Sequence, residues 1–201
     1  GRVFSRVLYG EVHPFGRSQT EASIKAITRG DVVAFHERYY KPGRAVITVV
    51  GDVTSMAIRP VIKRGLASWR AGGERPTFSY PALPATRPTT IYLIDKPGSA
   101  QSTFAIGLPG PPRSTPDYYV LQVMNTILGG TFVSRINSKL REEKGFTYGV
   151  RSTFDYRREP GPFAVQTSVQ ASATTEAIGD ILTEVRGIGG DRPATAAEIA
   201  R

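Results

Sequence analysis

Two residues suited to stabilising negative charge, Arg141 and Tyr148, lie close together in the sequence. A guanidinium and a phenol hydroxyl are both hydrogen-bond donors, so each can bind an oxygen acceptor. Arg141 falls in the last turn of a predicted helix, where a cation interacts well with the helix dipole. Tyr148 falls on the apolar face of a predicted strand, where a tyrosine ordinarily packs in the core. From the residue types alone, a structural role is the favoured interpretation of both.

Candidates for metal or thiol chemistry are few. The chain has no cysteine and only two histidines, His13 and His36. Neither belongs to an H-x-x-E-H or H-E-x-x-H pair, and a catalytic zinc ion needs about three protein ligands. His36 is predicted to face solvent on a helix, and His13, which precedes Pro14, to serve a turn. No nucleophile elbow, phosphate-cradling loop or Ser/His/Asp set is recognisable, so we predict no metal ligands in this chain.

The charge pattern argues against nucleic acid as a partner. The net charge is +9, from 26 basic and 17 acidic residues. The basic residues are scattered, and their densest cluster, Arg157 and Arg158, falls in a predicted turn. Because no stripe of Arg and Lys is interleaved with aromatic residues, a solvated basic surface is the favoured interpretation. No apolar run approaches the ~20 residues that span a bilayer, so no membrane span is predicted.

The first part of the chain is predicted to hold one strand flanked by helices. Thr28 and Asp31 form a capping pair for a helix that Pro42 and Gly43 end. Residues 45–51 are a β-branched run bounded by turn residues, which predicts a buried strand. Thr54 then caps a further helix. The Gly- and Pro-rich stretch after it predicts a linker over 72–88, and therefore a domain boundary.

The second part is predicted to be an antiparallel sheet packed with helices, an α+β fold with both ends truncated. Four strands are predicted, over 90–94, 101–108, 146–157 and 163–169, and the last two form a hairpin through a turn at 159–162. Three helices are predicted: one that begins at 114–117 and ends at Gly129–Gly130, one that carries Phe132, Ile136 and Leu140 and ends at Gly145, and one over 174–188.

The segment from Leu128 to Val150 resembles the C-terminal domain of the pitrilysin/insulinase (inverzincin) zinc metallopeptidases, a family that includes mitochondrial processing peptidase. The family pattern is a Gly-rich helix end, a helix, and then L-R-E-x-x-G-x-x-Y, which is filled here by Leu140, Arg141, Glu142, Gly145 and Tyr148. Residues 13–16 with 27–53 are similar to the end of the family's first domain. Residues 96–107 are similar to the entry strands of its second domain, so the resemblance covers nearly the whole chain in the expected order.

The resemblance implies a role for named residues. Arg141 and Tyr148 are expected to hold the substrate backbone and to stabilise the tetrahedral intermediate, and Gln101 to lie along the bound substrate strand. Residues 1–71 would be the C-terminal part of the first α+β domain, and 89–201 the second domain. The family's zinc motif would precede Gly1, so zinc is expected in the full-length or a partner chain and none in this fragment.

The expected function is therefore part of a zinc-dependent metalloendopeptidase. The expected partners are a peptide substrate and a homologous half or subunit that closes a chamber around it. Resemblance to bacterial secreted pairs predicts the periplasm or cell envelope as the location. One alternative stays open, a non-catalytic structural or partner subunit of the same fold, as in the core proteins of respiratory complexes.

Overall fold

A computed structural model describes residues 2–69, 72, 76–84 and 88–200 of the chain. Helices and strands alternate in groups along it. The helices are α1 (Arg2–Tyr9), α2 (Glu21–Lys25), α3 (Arg29–Tyr39), α4 (Ser55–Gly65), α5 (Tyr118–Asn125), α6 (Arg135–Asn137), α7 (Thr174–Ile188) and α8 (Ala196–Ile199), and the strands are β1 (Gln101–Pro109), β2 (Val150–Phe154) and β3 (Pro162–Gln170). Both α5 and α6 continue as wider π-helical turns, over Thr126–Gly130 and Ser138–Glu143.

The three strands form one antiparallel sheet in the order β1-β3-β2. β3 pairs with β1 from Gln101 opposite Gln170 to Pro109 opposite Pro162. On its other side β3 pairs with β2, with Val150 opposite Thr167 and Phe154 opposite Phe163. The predicted hairpin and the α+β class are thereby confirmed, with the helices grouped between strands as expected.

The core lies between this sheet and the helices α5, α6 and α7. In β2 the buried residues Val150 and Ser152 alternate with the exposed Arg151 and Thr153, the period of two that a half-buried strand requires. Nine buried apolar residues form one cluster: Leu128, Ile136, Leu140, Val150, Phe163, Val165, Val169, Ala177 and Ile181. The domain is therefore held together by residues 104–188, the part of the chain that carries Arg141 and Tyr148.

The turn after α5 comes unusually close to β2. Ser152 donates its hydroxyl to Asn125 Oδ1 at 2.7 Å, and Asn125 Nδ2 donates to the Ser152 carbonyl at 3.1 Å. A Cβ atom added to Gly129 would lie 2.6 Å from Ser152 Oγ and 2.9 Å from its backbone nitrogen. Only glycine fits at this crossing, which gives the predicted helix end at Gly129–Gly130 a packing reason as well.

Several capping predictions are confirmed. Thr28 Oγ1 accepts from the Asp31 N–H, and the Asp31 carboxylate accepts from the Thr28 N–H at 2.8 Å. This reciprocal arrangement fixes the start of α3, and the hydrogen bonds from Thr28 lower the pKa of the Asp31 carboxyl. Thr54 accepts from the Ala57 N–H at the start of α4. The predicted helix over 174–188 has the same bounds in the structure.

The strands predicted at 45–51 and 90–94 were wrong. Both segments are irregular and exposed, with Val46 91 % and Leu93 92 % accessible. β-Branched residues favour a strand only where a neighbouring strand accepts the backbone hydrogen bonds, and no strand of the described residues pairs with either segment. The apolar residues of α3, such as Val32 and Phe35, are likewise exposed rather than packed.

Two predicted bounds also differ from the structure. Phe132 precedes α6 instead of lying within a helix, and β2 begins only at Val150 rather than at Phe146. Thr147 explains the second difference, because its hydroxyl lies 3.1 Å from the Gly149 N–H and 3.0 Å from the Gly149 carbonyl. A side chain that takes both backbone groups leaves none for a strand ladder. Of the predicted linker, residues 73–75 and 85–87 lie outside the described residues, and the domain boundary stays a prediction.

The crossing at Gly129 generates a prediction about stability. We expect Gly129→Ala to lower the free energy of unfolding by roughly 1–3 kcal/mol, because the added methyl must displace the backbone of Ser152. The matched control is Gly179→Ala in α7, where the new methyl meets open space and should stabilise the helix by about 0.5–1 kcal/mol. Urea unfolding followed by circular dichroism measures both. Equal effects of the two substitutions would contradict a tight crossing.

A second prediction concerns acid stability. Hydrogen bonds from Arg135 and then from the Thr195 N–H lower the pKa of the Glu198 carboxyl from 4.5 to about 2. A lowered pKa means that the ion pair stabilises the fold above about pH 4.5 and that this contribution disappears as the pH falls towards 2. Water still reaches both side chains, which are 16 % and 23 % exposed. We therefore expect the ion pair to contribute about 1 kcal/mol to the free energy of unfolding.

The measurement compares Glu198→Gln with the wild-type chain at pH 7 and at pH 2.5. The loss of stability should be clear at pH 7 and much smaller at the lower pH, where wild-type Glu198 approaches protonation. Glu21→Gln removes an ion pair whose partners are mostly exposed and serves as the control with little effect at either pH. A deficit of Glu198→Gln that is independent of pH would contradict the assigned ion pair.

Candidate functional site

An open cleft of about 430 Å³ lies beside β2. One wall is the segment between the π-helical turn and α6, and the other is the start of β2 with the loop before it. The lining residues are Thr131, Phe132, Asn137, Tyr148, Gly149, Val150, Arg151 and Gln166. Tyr148, one of the two residues singled out in the sequence, therefore lines a concave surface beside the core.

Tyr148 is almost completely exposed, at 91 %. It lies in the loop 146–149, not on a strand, so the expectation that its ring belongs to an apolar strand face was wrong. Its hydroxyl makes no hydrogen bond within the described residues. This tyrosine contributes nothing to the core, and its hydroxyl is free to donate at the mouth of the cleft. A structural role therefore does not explain why a tyrosine occupies this position.

Arg141 is not among the residues that line this cleft, but it contacts Phe132, which is. Its guanidinium carbon lies 4.2 Å from the centroid of the Phe132 ring, a cation–π contact, and Phe132 lines the cleft. Arg141 Nε also lies 3.6 Å from a Glu142 carboxylate oxygen. One third of the Arg141 side chain remains exposed. The Phe132 ring thus holds the guanidinium next to one wall of the cleft, while part of the Arg141 side chain stays exposed to solvent.

The chain between the two residues is shaped by the end of the helix. Gly145 has a φ of +64°, in the left-handed region that favours glycine. Around it, the Gly145 N–H donates to the Arg141 carbonyl and the Phe146 N–H to the Leu140 carbonyl, at 3.1 and 2.9 Å. This reversal confirms the predicted helix end at Gly145. It sends the chain back along the helix end, towards the start of β2.

Asn137 joins the two walls of the cleft and was not singled out from the sequence. Its Nδ2 donates to the Phe132 carbonyl at 2.6 Å, and its Oδ1 accepts from the Val150 N–H at 3.1 Å. It is 3 % exposed. Asn137 lies three residues before Leu140, so helical spacing places both on the same inward face. An amide at such a position was the signal in the sequence that could have indicated a positioning role, because a buried amide must have hydrogen-bond partners.

The lining of the cleft is basic. Arg151 lies on its floor and donates to the Gly130 carbonyl at 3.4 Å. Among the lining residues there is no carboxylate. A guanidinium and a phenol in the lining, with the Arg141 guanidinium stacked on Phe132 beside them, favour a ligand that presents oxygen acceptors.

Gln101 is not brought to this cleft. It begins β1, where it is exposed and lies opposite Gln170, while the cleft lies beside β2 on the other edge of the sheet. Its assignment as a substrate-binding residue stays a prediction.

The described residues do not form a zinc site. His13 is buried, and its Nδ1 accepts from the Phe15 N–H at 3.1 Å while the ring stacks between Tyr9 and Tyr80. His36 is exposed on α3, stacked on Tyr40. No group of three or more His, Asp or Glu side chains is arranged to hold a metal ion in the part of the chain that the structure describes. In that same part, no helix has the length and apolar character to cross a bilayer.

Comparison with known proteins gives a consistent result over most of the chain. Residues 26–201 match the family described as Peptidase M16 inactive domain. An uncharacterised zinc protease of Mycobacterium leprae is 27 % identical over 194 residues, which is 94 % of this chain and 43 % of that protein. The chain therefore spans less than half the length of this relative.

Solved structures agree with the match. The crystal structure of a peptidase M16 inactive domain from Pseudomonas fluorescens superposes with a TM-score of 0.82 at 27 % identity, over 98 % of this chain and 47 % of that one. A chain of complex III from Candida albicans superposes at 0.72 with 16 % identity, over 98 % of this chain and 49 % of that one, a likeness of fold alone. The predicted pitrilysin-like family is confirmed: this chain belongs to the Peptidase M16 inactive domain family.

Proposed function

We propose that this chain supplies the substrate-holding and charge-stabilising residues of a zinc-dependent peptidase, with Arg141 and Tyr148 as the residues that contact the peptide. The observation that carries the proposal is the position of Tyr148, 91 % exposed with a free hydroxyl at a basic cleft. Membership of a peptidase family supports the reaction class. The names of relatives such as the zinc protease of M. leprae support the metal dependence.

The chemistry of the two side chains suits peptide hydrolysis. When a nucleophile adds to a peptide carbonyl, the oxygen gains negative charge, and donors that are already in place stabilise it. Arg141 presents the planar N–H groups of its guanidinium. Tyr148 adds a hydroxyl donor. Phe132 stacks against the Arg141 guanidinium, and Asn137 ties the two walls of the cleft together, so the Arg141 donor and the backbone beside Tyr148 are held without help from the substrate.

This proposal places the zinc ion outside the described residues. The described residues do not fit a zinc site, so we assign metal binding to another segment of the protein or to a partner chain. A homologous half or subunit would then close a chamber over the cleft and bring the metal to the bound peptide. The proposal includes the bacterial periplasm or cell envelope as the location, for which a secretion signal in the parent gene is the test.

A non-catalytic subunit is the second candidate. The likeness in fold to a complex III chain favours it, because that chain is a component of a respiratory assembly. Such a subunit has no use for an exposed tyrosine and a stacked arginine around an open cleft. We therefore rank the peptidase role first.

The first test substitutes the two donors. We expect Arg141→Ala and Tyr148→Phe each to lower kcat for peptide hydrolysis by about 10²–10³-fold, the usual cost of removing one donor to an oxyanion. The assay uses the full-length protein, together with its zinc-bearing partner if that is a separate chain. Melting temperatures should change little, because neither side chain is part of the buried core.

Matched controls are Arg59→Ala and Tyr119→Phe, which remove the same groups from exposed helical positions away from the cleft. Both should hydrolyse peptides at the wild-type rate. Hydrolysis that survives in both Arg141→Ala and Tyr148→Phe would refute the assigned roles. A full-length wild-type protein that shows no hydrolysis with any zinc-bearing partner would favour the non-catalytic subunit.

A second test measures the metal content. We expect this chain, purified alone and exposed to zinc by dialysis, to bind no stoichiometric zinc. Its two histidines are far apart in the sequence, and one is already hydrogen-bonded. The full-length protein should contain about one zinc ion per active site, as a catalytic zinc enzyme requires. Atomic absorption on both samples makes the comparison. Stoichiometric zinc in the isolated chain would contradict the placement of the metal elsewhere.

A further inference from the structure

A second cleft, of about 660 Å³, lies at the opposite end of β2. It is lined by Arg113, Ser114, Tyr156, Arg157, Arg158 and Glu159. None of these residues lines the cleft that holds Tyr148. The proposed peptidase role makes no use of them.

The fold brings these residues together from two distant segments. The connection between β1 and α5 runs beside the turn between β2 and β3. The Gly110 N–H donates to the Gly161 carbonyl at 2.7 Å, and the Arg113 N–H donates to the Arg157 carbonyl at 2.8 Å. These two backbone hydrogen bonds fix Arg113 next to Arg157 and Arg158. The basic cluster noted in the sequence thus gains a third arginine.

Two of the three guanidiniums are held in place by aromatic rings. The Arg113 guanidinium carbon lies 3.4 Å from the centroid of the Tyr118 ring, and that of Arg157 lies 4.2 Å from the Phe15 ring. Stacking on a ring engages the face of the guanidinium and leaves its in-plane N–H groups able to bind an anion. Because these two guanidiniums are already in position before a ligand binds, binding costs less side-chain conformational entropy.

The charges in the cleft are unbalanced. Arg157 forms an ion pair with Asp155, with Nε 2.8 Å from Oδ2. Arg113 and Arg158 form no ion pair within the described residues. Glu159 is the one carboxylate among the lining residues, against three arginines. A concave surface with an excess of positive charge concentrates anions.

Tyr156 adds a buried donor. Its hydroxyl is shielded from water and has no hydrogen-bond partner among the described residues. Burial raises the pKa of this phenol, so it remains protonated at neutral pH. Buried polar groups nearly always have a partner, and an orphaned hydroxyl at the edge of a cleft indicates that something else supplies the acceptor.

We propose that this cleft binds a small multivalent oxyanion of the phosphate class, with Arg113 and Arg158 as its charge partners and the Tyr156 hydroxyl as a further donor. Guanidiniums bind the oxygens of phosphates and carboxylates in pairs alike, but a multivalent phosphate group carries more negative charge and so matches this excess of positive charge better than a monovalent carboxylate does. The site is independent of the peptidase role. Free phosphate, pyrophosphate and a phosphate ester share the chemistry that these residues recognise.

Isothermal titration of pyrophosphate into the full chain tests the proposal. We expect saturable binding, with acetate at least tenfold weaker. Arg113→Gln combined with Arg158→Gln should weaken pyrophosphate binding by about tenfold or more, as the loss of hydrogen bonds to a charged group implies. The matched control, Arg59→Gln with Arg186→Gln, makes the same change in net charge at exposed positions outside the cleft. It should keep the wild-type affinity.

Tyr156→Phe provides a readout that a merely structural role would not give. It should weaken pyrophosphate binding by about three- to tenfold, as one hydrogen bond is lost, while the melting temperature of the free chain stays the same or rises. An equal loss of affinity in the control double variant, binding that does not saturate, or acetate that binds as tightly as pyrophosphate would each overturn the site. So would a chain that binds duplex DNA but not pyrophosphate.

Discussion

The contact between the turn after α5 and strand β2 is the constraint on which the rest of the domain depends. Asn125 and Ser152 exchange two hydrogen bonds there, and the absence of a side chain on Gly129 lets the backbones meet. Ser152 is fully buried, so this polar contact is made inside the core, where an unmade partner is costly. This contact sets how closely α6 and the helix end bearing Arg141 approach the sheet. The segment before α6 forms one wall of the first cleft, so the contact also sets the position of that wall.

Much of this domain could be predicted from the sequence, because its elements carry local signals. The capping pair Thr28 and Asp31, the glycine end at Gly145 and the alternation in 163–169 all agree with the structure. Residues 45–51 and 90–94 could not be predicted correctly, because a strand depends on a distant partner that composition does not reveal. The place of Tyr148 was missed because Thr147, rather than a strand ladder, satisfies the local backbone.

The candidate site shows the same division between local and distant information. The L-R-E-x-x-G-x-x-Y pattern picks out Arg141 and Tyr148, but it says nothing of Phe132, which stacks on Arg141, or of Asn137, which ties the cleft walls together. Those two residues matter through contacts that depend on how the chain turns between α6 and β2, and a sequence pattern does not show that turn. The second cleft is a stronger case, since Arg113 meets Arg157 only through hydrogen bonds between two loops.

The short loop that bears Tyr148 is anchored on both sides by other residues. Thr147 is tied to Thr167 at 3.0 Å, and Val150 is tied to Asn137, while the Tyr148 ring itself touches little. Under the proposed function, stability and chemistry are therefore assigned to neighbouring but separate positions. Selection could then exchange the side chain at 148, and with it the proposed contact to substrate, without passing through an unfolded intermediate. A scaffold arranged in this way can give rise to silent subunits as readily as to working enzymes.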